Sequence, residues 1–276
     1  MFSLSLIALT PLFILASHLL FKKHKEKKIT AEETRETLNY RYQSAVNLLH
    51  LLAYEKQSSE LLFSYSAPDL NLTTYLMNSI LQSISMYAGM AVEFQEIYLQ
   101  DDICLTLTDG ILIRVAVVTK NLPSVEMQKQ VLKFIDLFEA AFKEKIPDAV
   151  ENIVAVSRLI DLGFANALIE ECFEKSLIFP HIAHRPDENQ PLSNDENMIH
   201  KLAYSLNEKS GPFLLGRLLA KAQIETTITT LSELIEIVFR LREKGALKPI
   251  PPESAEKLRD EMMREKVKKF MLKQNE

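Results

Sequence analysis

Glycine is scarce in this chain, with six among 276 residues. That scarcity argues against a glycine-rich all-β fold and for long helices joined by short loops. Cysteine is scarcer still. Cys104 and Cys172 stand far apart, so there is no disulfide framework. Two such thiols fit burial in a reducing compartment, and a single disulfide between them is the alternative. Neither sign of charge dominates: 32 basic against 37 acidic residues leave a formal −5, too mild a field to draw the chain to nucleic acid. No glycine-rich phosphate loop is present, which argues against a nucleotide hydrolase. No Gly-x-Ser-x-Gly elbow marks a serine hydrolase. His181 and His184 in PHIAH, near Asp187 and Glu188, have a spacing that could turn two rings toward one metal ion. Pro180 and Pro186 make that stretch a loop, however, and no second pair of ligands accompanies it, so both read as surface histidines. The expectation is no catalytic, cofactor or metal site.

What is present begins with an apolar run. Phe2 to Phe21 contains no formally charged side chain and has the roughly 20 residues that cross about 30 Å of hydrocarbon. Its Leu, Ile and Phe residues, Leu12 and Phe13 among them, favour insertion by roughly 5 kcal/mol. A cleaved signal peptide is the competing reading, but no basic residue precedes the run and no small-x-small site lies near Ala16 or Ser17. Lys22, Lys23, Lys25, Lys27 and Lys28 follow, with only Glu26 opposing. Basic residues stay on the cytoplasmic side, so the expected arrangement is a single-pass cell-membrane anchor with its N-terminus outside and the bulk of the chain in the cytoplasm. Membrane lipid is then the first partner.

Residues 30–42 are charged and open with Thr30 and Glu33 at capping-box spacing, a short helix lifting the next domain off the membrane. Ala45 to Tyr54 and Leu61 to Ser66 are apolar runs split by a polar loop, which reads as a hairpin. A continuous helix is the competing reading, since Leu and Ala are good helix formers. His50, in that apolar run, reads as a satisfied core histidine. Asn71 or Thr73 caps the following helix, and this cap explains Asn71-Leu72-Thr73 better than a glycosylation sequon does. Leu76, Met77, Ile80, Leu81, Ile84, Tyr87 and Ala88 form its apolar stripe.

The other face of that helix carries Asn78, Ser79, Gln82, Ser83 and Ser85, and no charged residue occurs from Leu70 through Val92. Such a neutral face can pack on a partner without stranding a charge. A polar face that merely lacks charge is the plain alternative. Val92 to Leu99 then reads as a strand, as do the alternating residues from Ile103 to Thr108 and from Ile111 to Val117. Asp101-Asp102 supplies the earlier turn and Asp109-Gly110 a two-residue hairpin turn with positive φ. In the last strand Ile111, Ile113, Val115 and Val117 share one face and Arg114 takes the other. Pro123 opens a long helix with a buried stripe of Met127, Val131, Phe134, Ile135, Phe138, Ala141, Phe142 and Ile146.

The element order, and the run VNLLHLLAYEKQSSELLFSYS leading into a helix, resemble the roadblock/longin family of small α/β domains over residues 30 to 178. The resemblance implies a five-stranded antiparallel sheet with packed helices, an α+β fold. Several prokaryotic members, archaeal ones especially, resemble this chain in carrying further helices after the module. Members commonly dimerise through sheet or helix pairing and serve as platforms for small GTPases, trafficking complexes or motility switches, and they are generally not catalysts. No functional residue transfers by motif.

Asp148 to Ile178 reads as further helix broken at Gly163, and Pro180 to Pro191 as a polar linker. Asp195 to Glu208, Phe213 to Ala222 and Thr230 to Lys244 read as three helices. Gly245 stops the last, and a short strand follows. This unit resembles a winged-helix fold. Its third helix opens with Leu231, Ser232, Glu233 and Glu236, and acidic residues there would repel phosphates, so protein contact is favoured over nucleic acid. The expected organisation is an anchor and basic stop over 1–28, the sheet module over 29–178, a linker over 179–194, the winged-helix-like unit over 195–250 and a charged tail helix over 251–276. The functional expectation is a membrane-anchored interaction platform whose protein partner is a small GTPase or a second copy. A tethered nucleic-acid-binding regulator is the alternative.

Overall fold

The computed structural model describes residues 32–67, 73–99, 102–146, 160–186, 189–228 and 230–274, with side chains described through 266. Residues 32–47 form helix α1, and strands β1 (Leu48–Glu55) and β2 (Leu61–Ser66) follow as a hairpin. Helix α2 (Thr74–Met86) leads to β3 (Gln95–Tyr98), β4 (Ile103–Asp109) and β5 (Ile113–Lys120). Helix α3 (Val125–Phe142) comes next. The five strands make one antiparallel sheet in the order β2-β1-β5-β4-β3, so the hairpin and the three-stranded meander are joined by the pairing of β1 with β5.

Both faces of this sheet are covered. Leu52, Tyr54, Leu105, Leu107, Ala116 and Val118 pack with Leu76, Ile80 and Ile84 of α2. Leu51, Ala53, Ile113, Val115 and Val117 pack on the other side under α3 and helix α4 (Leu162–Phe173). A strand buried on both faces loses its polar alternation, which is why AVNLLHLLAY reads as unbroken apolar sequence. The α3 side is rich in phenylalanine: the rings of Phe134 and Phe138 lie 5.5 Å apart and those of Phe138 and Phe142 4.8 Å apart. Thr73 caps α2 by accepting from the Leu76 N–H at 3.2 Å.

The second unit contains α5 (Asn194–Ser210), α6 (Leu215–Glu225) and α7 (Leu231–Glu243). Strand β6 (His181–Ala183) pairs antiparallel with β7 (Leu247–Pro249), and Phe213 bridges to His181. The stretch expected to be a linker is therefore built into this unit, because its backbone supplies the middle of a small sheet. Helix α8 (Pro252–Gln274) ends the described chain. Arg259 donates to the Pro212 carbonyl at 3.1 Å and Lys266 to that of Lys209 at 2.7 Å, so the charged tail docks on its own unit.

Several local expectations need correction. α1 runs through Ala45 and Val46, so the strand starts at Leu48, later than the apolar run does. α1 is not a free-standing spacer: Tyr42 and Ala45 share a core with Leu218, Leu234 and Val238. Arg35 pairs with Glu236 at 2.5 Å and Glu233 at 3.1 Å. The strand expected from Val92 is confined to Gln95–Tyr98. Pro123 precedes the cap of α3, which is Ser124, and Ala141 is exposed. Gly163 does not break a helix; it lies in the first turn of α4, where its N–H bonds the Asp161 cap at 2.9 Å. Asp102 adopts positive φ in the β3–β4 turn.

Among the described residues no helix is long and apolar enough to cross a membrane. The proposed anchor, from Phe2 through Leu12 and Phe13 to Phe21, lies outside the described residues, as do Lys22, Lys23, Lys25, Lys27 and Lys28. Thr30, Asn71, Asp101, Asp187 and Glu188 lie outside them too.

Candidate protein-contact surface

The β4–β5 turn holds two helices at once. Asp109 is not in a two-residue turn; it ends β4 and pairs across the ladder with Arg114. Gly110 does not have positive φ. It is needed for close approach, since a Cβ there would lie 2.3 Å from Glu139 Oε1 and 2.6 Å from Ile135 Cγ2. Glu139 of α3 accepts the N–H groups of Leu112 at 2.7 Å and Ile113 at 3.0 Å. Ile111, expected on the apolar face of β5, stands 85 % exposed at the turn.

Arg114 is buried on the α2 side. Its Nε donates to Asp109 Oδ1 at 2.6 Å. Its terminal nitrogens donate to the carbonyls of Tyr87 at 2.6 Å and Met90 at 2.5 Å. The first is the carbonyl of the α2 C-cap and the second lies in the turn that follows the helix. Asp109 also accepts the Val92 N–H at 3.0 Å and lies 3.3 Å from Lys56 Nζ. Burial opposes the charge on Asp109, but Arg114, the Val92 N–H and Lys56 outweigh it and hold the carboxyl below the ordinary carboxylate range. One buried ion pair thus fixes the orientation of α2.

With its inner face fixed, α2 presents Asn78, Gln82 and Ser85 to solvent, while Ser79 and Ser83 are half-buried at the flank. The Ser79 hydroxyl donates to the Tyr75 carbonyl at 3.0 Å and the Ser85 hydroxyl to that of Leu81 at 2.9 Å. Their protons are used within the helix, which lowers the cost of covering them. Sequence reasoning missed the apolar part of this face. Tyr75 is 67 % exposed and Met86 66 % exposed. Leu81, expected in the buried stripe, is exposed as well. The missed signal was the i, i+7, i+11 spacing of Tyr75, Gln82 and Met86, which lines them up on one face. Met90 continues the exposed apolar surface past the helix end.

The histidines divide. His50 is buried in β1 with Nδ1 2.7 Å from the Ser66 hydroxyl, and burial pushes its pKa down. His181 is fully buried, contrary to the surface reading. Its Nδ1 donates to the Phe179 carbonyl at 2.8 Å, Nε2 is a buried atom without a partner, and burial with nearby Arg242 pushes the pKa down to about 4. The β6 ladder turns this ring inward; the flanking prolines gave no sign of it. His184 is exposed, so the two rings do not converge. Among the described residues no group of three or more His, Cys, Asp or Glu could hold a metal ion. Cys104 in β4 and Cys172 in α4 are buried free thiols, and burial pushes Cys172 up to about 11.

In comparisons with known proteins, no family model and no curated protein matches this chain.

Proposed function

We propose that this protein is a membrane-tethered interaction platform that binds a protein partner through the outer face of α2. The observation that carries this reading is the uncharged, partly apolar face Tyr75–Asn78–Gln82–Met86 on a helix pinned by the Arg114–Asp109 pair. Core residues of protein interfaces are depleted in charge and enriched in Tyr and Met. The element order and the β2-β1-β5-β4-β3 sheet support a roadblock/longin-like module, and that resemblance suggests a small GTPase or a second copy as the partner class. The apolar run at Phe2–Phe21 with its lysines supports a single-pass anchor with the module in the cytoplasm. Tethering raises the effective concentration of the surface for other membrane-associated proteins.

The winged-helix-like unit serves protein contact in this proposal. Glu233 and Glu236 at the start of α7 are both tied to Arg35 of α1, which leaves no basic end for a phosphate backbone.

The test is affinity purification of the detergent-solubilised full chain from its own host, with Asn78→Lys and Gln82→Lys in parallel. These positions are better probes than Ser79 and Ser83, whose half-burial would confuse packing with contact. The expected result is a protein, or a second copy, recovered with the parent chain and lost from both variants. Recovery of a monomeric chain with lipid alone would sink the proposal.

A further inference from the structure

A groove of about 510 Å³ opens where α1 passes into β1 and the second unit meets the first, within the roughly 300–1,000 Å³ range of small-ligand sites. Its walls include Val46, Leu49, Leu177, Ile178 and Leu214, and among the described residues the polar side chains lining it belong to Tyr42 and Arg217. Helix α6 starts at this groove. Its cap position is Leu214, whose side chain accepts nothing, so the N–H groups of Leu215 and Gly216 have no partner among the described residues. Such a helix end favours an anion.

Three further observations point the same way. Tyr42 is only 9 % exposed, yet its hydroxyl has no hydrogen-bond partner among the described residues. Gly216 leaves the space open, since an added Cβ would lie 3.7 Å from that hydroxyl. Arg217 is exposed and has no ion pair among the described residues.

We propose that this groove binds a long-chain fatty carboxylate, with its tail along Val46, Leu49, Leu177 and Ile178 and its carboxylate at the start of α6. There the Leu215 and Gly216 N–H groups, the Tyr42 hydroxyl and Arg217 are the available donors. The walls select a hydrocarbon chain over a peptide, because they offer buried amide groups no partners. The inference does not depend on the α2 proposal.

The test uses the full chain in phosphatidylcholine nanodiscs, irradiated with a diazirine-bearing palmitate and mapped by peptide mass spectrometry. Labels should fall on the peptides carrying Val46, Leu49 and Leu177. Excess palmitate should compete, and hexadecanol, which lacks the charge, should compete at least tenfold less well. Arg217→Glu, at an exposed position, should cut labelling about fivefold, Tyr42→Phe about threefold, and Val46→Trp, which fills the groove, should abolish it. Circular dichroism identifies any variant that fails to fold, and the hexadecanol comparison on the parent chain needs no variant. Equal competition by hexadecanol would overturn the proposal. So would labelling confined to the N-terminal apolar run, or stronger competition by an apolar peptide with a free C-terminal carboxylate.

Discussion

α2 and α3 flank the same sheet and are fastened to the same β4–β5 turn, yet they meet solvent differently. α3 carries Glu126, Lys129, Lys133, Asp136 and Glu139, the usual solvated pattern around a phenylalanine-rich stripe. α2 carries no charge and exposes Tyr75, Leu81 and Met86. Their fastenings differ too: Glu139 of α3 accepts two backbone N–H groups of the turn, whereas Arg114 reaches out of the sheet to carbonyls at the cap of α2 and in the turn after it. Both helices are fastened to the turn and only one has a charged outer face, so the neutral face of α2 is a property of its surface, separate from how it is held.

Arg114→Leu should break this comparison most strongly. It leaves the buried Asp109 with only Lys56 and the Val92 N–H as partners, at a cost of about 3 kcal/mol in denaturant unfolding, and hydrogen exchange should quicken in α2 and residues 87–92 before it does in α3. The pH dependence sharpens the same point. The Asp109 carboxyl is depressed in the folded state, so its contribution is fully present above the ordinary carboxylate range, about 3.9. It is lost as pH falls through the lower folded value. The stability gap between the parent and Arg114→Leu should therefore shrink when both are titrated below about pH 4. Removing the α3 fastening with Glu139→Ala should cost about 1–3 kcal/mol and quicken exchange at Leu112 and Ile113 while sparing α2. The smallest effect on stability belongs to the outer faces. Gln82→Lys on α2 and Leu132→Lys on α3 should each shift unfolding by under about 0.5 kcal/mol, and only Gln82→Lys should lose a bound partner in co-purification.

The sheet was legible because its strands alternate or run apolar at recognisable lengths and because Thr73 stands where a helix needs a cap. The order of strands across the sheet was not, since pairing β1 with β5 is a long-range choice that no local pattern encodes. Asp109-Gly110 misled because an aspartate before a glycine carries two possible meanings, a turn with positive φ or a buried carboxylate beside a close helix approach; only the positions of Arg114 and Ile135 decide. His181 misled because prolines mark a loop but do not say that a three-residue strand inside it pairs with Leu247–Pro249. The neutral half of the α2 surface was readable from composition. Its apolar half was not, because Leu81 was assigned to the buried stripe and the residues between Tyr75 and Met86 on their side, Asn78 and Gln82, are polar.

The central claim is that a partner covers α2, and methionine oxidation tests it most directly. Met86 and Met90 border that face, while Met263 on α8 is comparably exposed at 61 %. Native membranes and dilute purified full-length protein would be treated with the same low peroxide dose and the sulfoxides counted by mass spectrometry. The account predicts slower oxidation of Met86 and Met90 in native membranes with Met263 unchanged. Equal rates for all three residues in both preparations would contradict it.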